Sequence, residues 1–239
     1  MGFLQGEIRE IKSVTDEEVR IVYDRLYKDY YDGVTYDGYF KDHFKEKDYV
    51  ILLSADGVIQ GFSLQQIIYT KIDNDNKEIV ILWAGDILVH PDFWGKNEYR
   101  VKLAELCLML YNENPDKLVY RLATPKGYKT YGVVQNLFHK FYPSPDYNYY
   151  PEFESKIIDK VLSSKYPPEI YNKESKTLIV KDNDHRLAKG FAQVTPDKLK
   201  DPFIRCFYEN NPDYARGNEI PVISRITPDN LKVQEINKA

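Results

Sequence analysis

Residues 79–110 read IVILWAGDILVHPDFWGKNEYRVKLAELCLML, and how this stretch divides decides the fold. Residues 79–89 form an apolar run with β-branched residues and two small ones, the pattern of a buried strand. His90-Pro91 ends it, because proline has no N–H for a continuing ladder. A short loop with Gly95 follows. Asn97 is then placed to cap a helix reaching about Tyr111. Val101, Ala104, Leu108 and Tyr111 fall on one stripe of that helix, and Leu103, Leu106, Cys107 and Leu110 on another. A helix apolar over so much of its circumference is packed on several sides. Strand, proline, glycine loop and buried helix together aim backbone N–H groups and a helix N-terminus at an anion.

Working towards the N-terminus, a polar turn at residues 73–76 precedes this strand, and residues 58–72 are long enough for another. Asp56-Gly57 is a hairpin signal joining residues 58–72 to a strand at 49–54. A short helix is predicted over 36–45 and a break at Asp32-Gly33. Thr15 with Glu18 three residues on is a helix start, with the helix reaching about Tyr31. Residues 8–14 alternate as a first strand. Towards the C-terminus, residues 118–123 give a fifth strand and about 130–141 a helix. After Pro143 the pattern changes to a turn-rich linker, a helix over 153–163 and a stop at Pro167-Pro168. A short strand at 177–180, a turn at 182–184, a helix over 202–208 and a last strand within 219–226 follow. Pro221 argues for an edge or a strand start in that last segment. The expected architecture is an α/β (α+β) fold, a mixed and mostly antiparallel sheet flanked by helices. Residues 1–143 form its principal domain, and 144–239 an α/β extension too poor in apolar periodicity for its own core, packed on the first and over its cleft.

The 239 residues carry 33 basic and 37 acidic side chains, a balance that implies no general affinity for nucleic acid. Two cysteines, Cys107 and Cys206, make no disulfide framework and read as core thiols. The opening MGFLQGEIRE lacks the basic and apolar regions of a signal peptide, and no run approaches a membrane span, so a cytoplasmic protein is expected. His43, His139 and His185 lack metal-ligand spacing, and no metal is expected. There are 21 tyrosines, clustered at 27–39 and 142–150. Such clusters line an amphipathic cleft or a contact surface, or reflect no more than a coding preference.

The motif VHPDFWGKNEY resembles the acyl-CoA loop of the GNAT-type N-acyltransferases, in which a strand ending Val-x-Pro leads into Q/R-x-x-G-x-G/A. Val89, Pro91 and Gly95 match, as does Lys96. Trp94 replaces the Gln/Arg, Asn97 the second glycine and Tyr99 the closing Gly/Ala. The resemblance extends through the element order over residues 7–143. It implies acetyl-CoA or another acyl-CoA as substrate, contacted by Leu88, Val89, Trp94, Gly95, Lys96, Asn97 and Arg100. It also implies a fourth and fifth strand that splay apart, and a backbone N–H near Leu88 and Val89 polarising the acyl carbonyl. Glu98 would oppose an anion in the first helical turn. In L-F-H-K-F-Y-P, residues 137–143, Phe138 stands where the family has a tyrosine that protonates the leaving thiolate, and Tyr131 and Tyr142 are the candidate replacements. Asp86 shares a strand face with Leu88 and is the candidate base, with His90 beside the loop as a second proton carrier.

The implied function is acyl transfer from a thioester, acyl-CoA or acyl carrier protein, to an amine or hydroxyl of a small-molecule or peptide acceptor. The altered loop motivates the carrier-protein donor, which needs fewer pyrophosphate contacts. A catalytically inactive binding module of the same shape is the alternative, and another thioester chemistry on the same fold is a third. Oligomerisation is left open.

Overall fold

The computed structural model describes residues 2–31, 34–72, 78–179 and 193–233. The break at Asp32-Gly33, the turns at 73–76 and 182–184, Val180 and His185 lie outside them.

The sheet has six strands in the order β1-β2-β3-β4-β5-β8: β1 (Gln5–Glu10), β2 (Tyr49–Ala55), β3 (Val58–Lys71), β4 (Glu78–Val89), β5 (Leu118–Ala123) and β8 (Val222–Arg225). A separate two-stranded hairpin joins β6 (Tyr171–Asn172) and β7 (Thr177–Leu178). All neighbours in the main sheet are antiparallel except β4 and β5. Asp56 and Gly57 both take positive φ (51° and 75°), the backbone that lets a two-residue turn follow the strands' twist.

The N-terminal helix starts at the expected capping box. Thr15 Oγ1 accepts from the Glu18 N–H, and Glu18 accepts in return from the Thr15 N–H. This helix runs as α1 (Asp16–Val22), a wider π segment (Tyr23–Tyr27) and α2 (Lys28–Tyr30). A second π segment, Tyr36–Phe40, leads into α3 (Lys41–Lys45). The remaining helices are α4 (Glu98–Glu113), α5 (Tyr128–Leu137), α6 (Glu152–Lys165) and α7 (Pro202–Asn210).

Strand alternation separates the core into faces. Ile51, Leu53, Val80, Leu82 and Val119 pack with α4, α5 and α7. On the other face, Val50, Leu52, Phe62 and Leu64 meet Val19, Val22, Phe40 and Phe44. Beside that cluster Ile79, Ile81, Trp83 and Tyr120 meet Ile157, Ile158, Val161 and Leu162 of α6. Residues beyond 143 therefore supply the outer strand β8 and helices on both faces. Across the position expected as a boundary, β8 closes the sheet against β5 through Tyr120↔Arg225 to Ala123↔Val222.

Candidate functional site

Two breaks in the ladder of β4 make the site. The β3–β4 register passes from Ser63↔Ile87 to Gln65↔Ala84, so β4 carries one extra residue at Gly85-Asp86. This bulge precedes Leu88 and Val89, which pair regularly with Phe62 and Gly61, and so lies earlier than the resemblance implied. On the other side, β4 and β5 pair from Ile79↔Leu118 to Trp83↔Leu122 and then part. Residues 84–89 have no β5 partner.

A cavity of about 410 Å³ opens on the α4–α5 side of this gap. Leu88, Val89, Trp94, Gly95, Lys96 and Arg100 line it, as six of the seven expected contact residues. The loop is shaped by Gly95, whose φ of +84° suits glycine. Trp94 does not fill the cavity. Its Nε1 donates to the Val89 carbonyl at 2.7 Å, folding the loop back on its own strand. Tyr99 lines the cavity from its inner wall. It is buried, with its hydroxyl 3.1 Å from Ser63 Oγ. Asn97 stands at the helix cap but its side chain caps nothing, and Oδ1 is buried with no hydrogen-bond partner. Glu98 Oε1 accepts from the Gly6 N–H at 2.7 Å, so its carboxylate is held by β1.

Lys129, in the first turn of α5, is the residue sequence reasoning missed. Its Nζ lies 3.4 Å from the Trp94 ring centroid across the cavity. Its only signal was its place two residues past Gly127 at a helix start. Among the described residues, Lys96, Arg100 and Lys129 make no ion pair with a carboxylate. Burial lowers the pKa of Arg100 and, together with the nearby charge of Lys198, that of Lys129. Both cations gain from an anion.

The second cavity, about 520 Å³, lies on the other face and shares Ile87, Leu88 and Thr130 with the first. Asp86 lines it, as do Tyr31, Tyr39, His43, Lys126, Tyr166 and Glu219. His43 Nε2 lies 3.0 Å from Asp86 Oδ2, outside hydrogen-bond alignment, and Nδ1 is 3.2 Å from the Tyr39 hydroxyl. Burial acts to raise the Asp86 pKa, but His43 and the charges of Lys126 and Lys47 outweigh it, and the carboxyl is held below its ordinary value. Burial and the Asp86 charge raise the phenols of Tyr31 and Tyr39. Neighbouring tyrosines serve different cavities, since Tyr30 lines the first, its hydroxyl donating to Val89 O at 2.9 Å.

The other proton-transfer candidates lie elsewhere. His90 lines neither cavity; its Nδ1 accepts from the Asp92 N–H at 3.4 Å and caps the short helical turn Pro91–Phe93. Tyr131 faces α7, donating to the Pro143 carbonyl at 2.9 Å, so it lies in the core away from the gap. Tyr142 packs against Tyr147 and Tyr149 beside β8. Phe138 is fully buried where α5 ends. Among the described residues no three His, Cys, Asp or Glu side chains converge as a metal site, and no helix is long and apolar enough to cross a membrane.

The strand order, the parallel β4–α4–β5 crossover and the parting of β4 from β5 are those of a GNAT-type fold. No family model matches the chain, and no curated protein matches it in sequence. Among solved structures, the ribosomal-protein-S18-alanine N-acetyltransferase from Escherichia coli is 11% identical with a TM-score of 0.42, over 93% of this chain and 95% of that one. Aminoglycoside N-acetyltransferase AAC(6')-Iy in complex with CoA is 18% identical with a TM-score of 0.39, over 56% of this chain and 86% of that one. A probable N-acyltransferase from Enterococcus faecalis V583 is 10% identical with a TM-score of 0.42 over 57% of this chain, which spans 33% of that protein's length.

Proposed function

We propose that the chain is an acyltransferase that takes an acyl thioester of coenzyme A in the first cavity and an amine acceptor in the second. The observation that carries this reading is the meeting of two cavities across the β4–β5 gap at Ile87, Leu88 and Thr130. Lys96, Arg100 and Lys129 hold the donor's phosphates. Backbone N–H groups on the unpaired side of residues 84–89 polarise the acyl carbonyl. The acceptor nitrogen attacks that carbon, the C–N bond forms and the C–S bond breaks. Asp86, with His43, takes the amine proton. Tyr30, its phenol pushed up to about 12 by burial and by Asp29, returns a proton to the thiolate in place of Phe138. The three cations favour a coenzyme A donor over a carrier-protein arm.

Calorimetric titration with coenzyme A, acetyl-CoA and a long-chain acyl-CoA tests the donor site. Micromolar binding, about −8 kcal/mol, is expected. Arg100→Ala and Lys129→Ala should each weaken it about tenfold, and no binding to any of the three would sink the reading. The buried Phe138 favours one other reading, a binding module. Coenzyme A binding without thiol release against a panel of amines would select it.

A further inference from the structure

The second cavity already holds an ammonium group. Lys126 Nζ lies 3.0 Å from a carboxylate oxygen of Glu219 and 5.5 Å from the centroid of the Tyr31 ring. The side chains of Lys126 and Glu219 are only 16% and 15% exposed. Carboxylate and aromatic ring are the two partners with which proteins hold a cationic ligand. Tyr39, Tyr166 and Asp86 line the same space. Asp86 adds a second buried carboxylate to the cavity, its Oδ2 3.0 Å from His43 Nε2. The acids come from opposite parts of the chain, Asp86 from the β4 bulge and Glu219 from the segment before β8.

We propose that the second cavity is a recognition site for a cationic alkylamine, and that Lys126 is its built-in competitor. The incoming ammonium takes the Glu219 carboxylate and the Tyr31 face, and Lys126 Nζ is displaced. Neutral ligands of the same length gain nothing from the exchange, so Lys126 sets a threshold that only a cation crosses. Lys126 is thus a specificity-determining residue that reaches the ligand through Glu219. The inference rests on the acyltransfer reading only in calling this ligand the acceptor; binding itself needs no thioester.

The test is calorimetric titration of the full chain with pentylamine and with pentanol, which share a chain and differ in charge. Lys126→Met should bind pentylamine about tenfold more tightly than the native protein, with pentanol unchanged. Lys126→Gln, which keeps a donor for Glu219 and guards against a misfolded methionine variant, should shift in the same direction. Glu219→Gln, alone or with Lys126→Met, should show no gain. Urea unfolding of each variant establishes that it is folded. Unchanged or weaker pentylamine binding in both folded Lys126 variants overturns the proposal, as does an equal gain for pentanol, which would show that only space was made. A failure of the acyltransfer reading is seen separately, as absent coenzyme A binding by the native protein.

Discussion

Arg121 is fully buried, and no carboxylate among the described residues pairs with it. A guanidinium only donates, so Gln65 Oε1 accepts from it at 2.5 Å. The Gln65 amide then donates to Ser63 Oγ at 2.7 Å, and the Ser63 hydroxyl meets that of Tyr99. Removing the acceptor while keeping the charge is the costly change. Gln65→Leu is expected to destabilise the fold by about 3 kcal/mol. Adding Arg121→Met should restore most of that, because the buried charge then leaves too; urea denaturation of both variants checks this. The same residues mark how far a site can be read from sequence. Asp86 was legible because strand alternation from Leu88 fixes its face, and the bulge at Gly85-Asp86 leaves that two-residue step intact. Trp94 and Tyr99 were legible only as positions. The side chain of each turns to a polar partner brought up by the fold, the Val89 carbonyl for Trp94 and the Ser63 hydroxyl for Tyr99. Lys129 was not legible, since only the folded chain brings α5 opposite the loop.

At the scale of elements, the first helix is set by local chemistry. Thr15→Ala should cost about 1 kcal/mol by removing the cap on the Glu18 N–H, read as a lowered urea midpoint. Glu18 is also held by Arg9, which with the Thr15 bonds keeps its carboxyl below the ordinary value against burial. A depressed folded pKa gives stability that is complete above the unfolded value, about pH 4.3, and fades as pH falls through the folded one. Glu18→Gln should therefore flatten the acid side of the stability–pH curve below about pH 4 while keeping the fold at pH 7. Element type and order were legible here because capping pairs, the Asp56-Gly57 turn and apolar periods are local signals. Less legible were the π segments Tyr23–Tyr27 and Tyr36–Phe40, which a hydrophobic period of ordinary helix length does not announce.

Across the whole molecule, the pairing of β8 with β5 joins residues a hundred positions apart, and no local pattern encodes it. The C-terminal segment, expected to pack over the cleft, also completes the sheet, covers Ile79, Ile81 and Trp83 with α6, and walls the second cavity with Tyr166 and Glu219. A chain ended at residue 143 would leave that face bare. It should show no cooperative thermal transition by circular dichroism; a sharp melt would refute its dependence on the later residues. The same completeness gives the parted strand an unusual setting. Residues 84–89 form a free sheet edge, and on a protein's outside such an edge recruits other chains. Here it opens inward between two cavities, screened from neighbouring molecules by α5 on one side and the C-terminal segment on the other. Successive amides on that edge repeat about every 7 Å. A guest that satisfies them must be slender, extended and peptide-like in its own spacing of donors and acceptors. In the proposed donor role the gap thus selects by outline before any side chain is consulted, and favours a flexible amide-bearing arm over a broad ring.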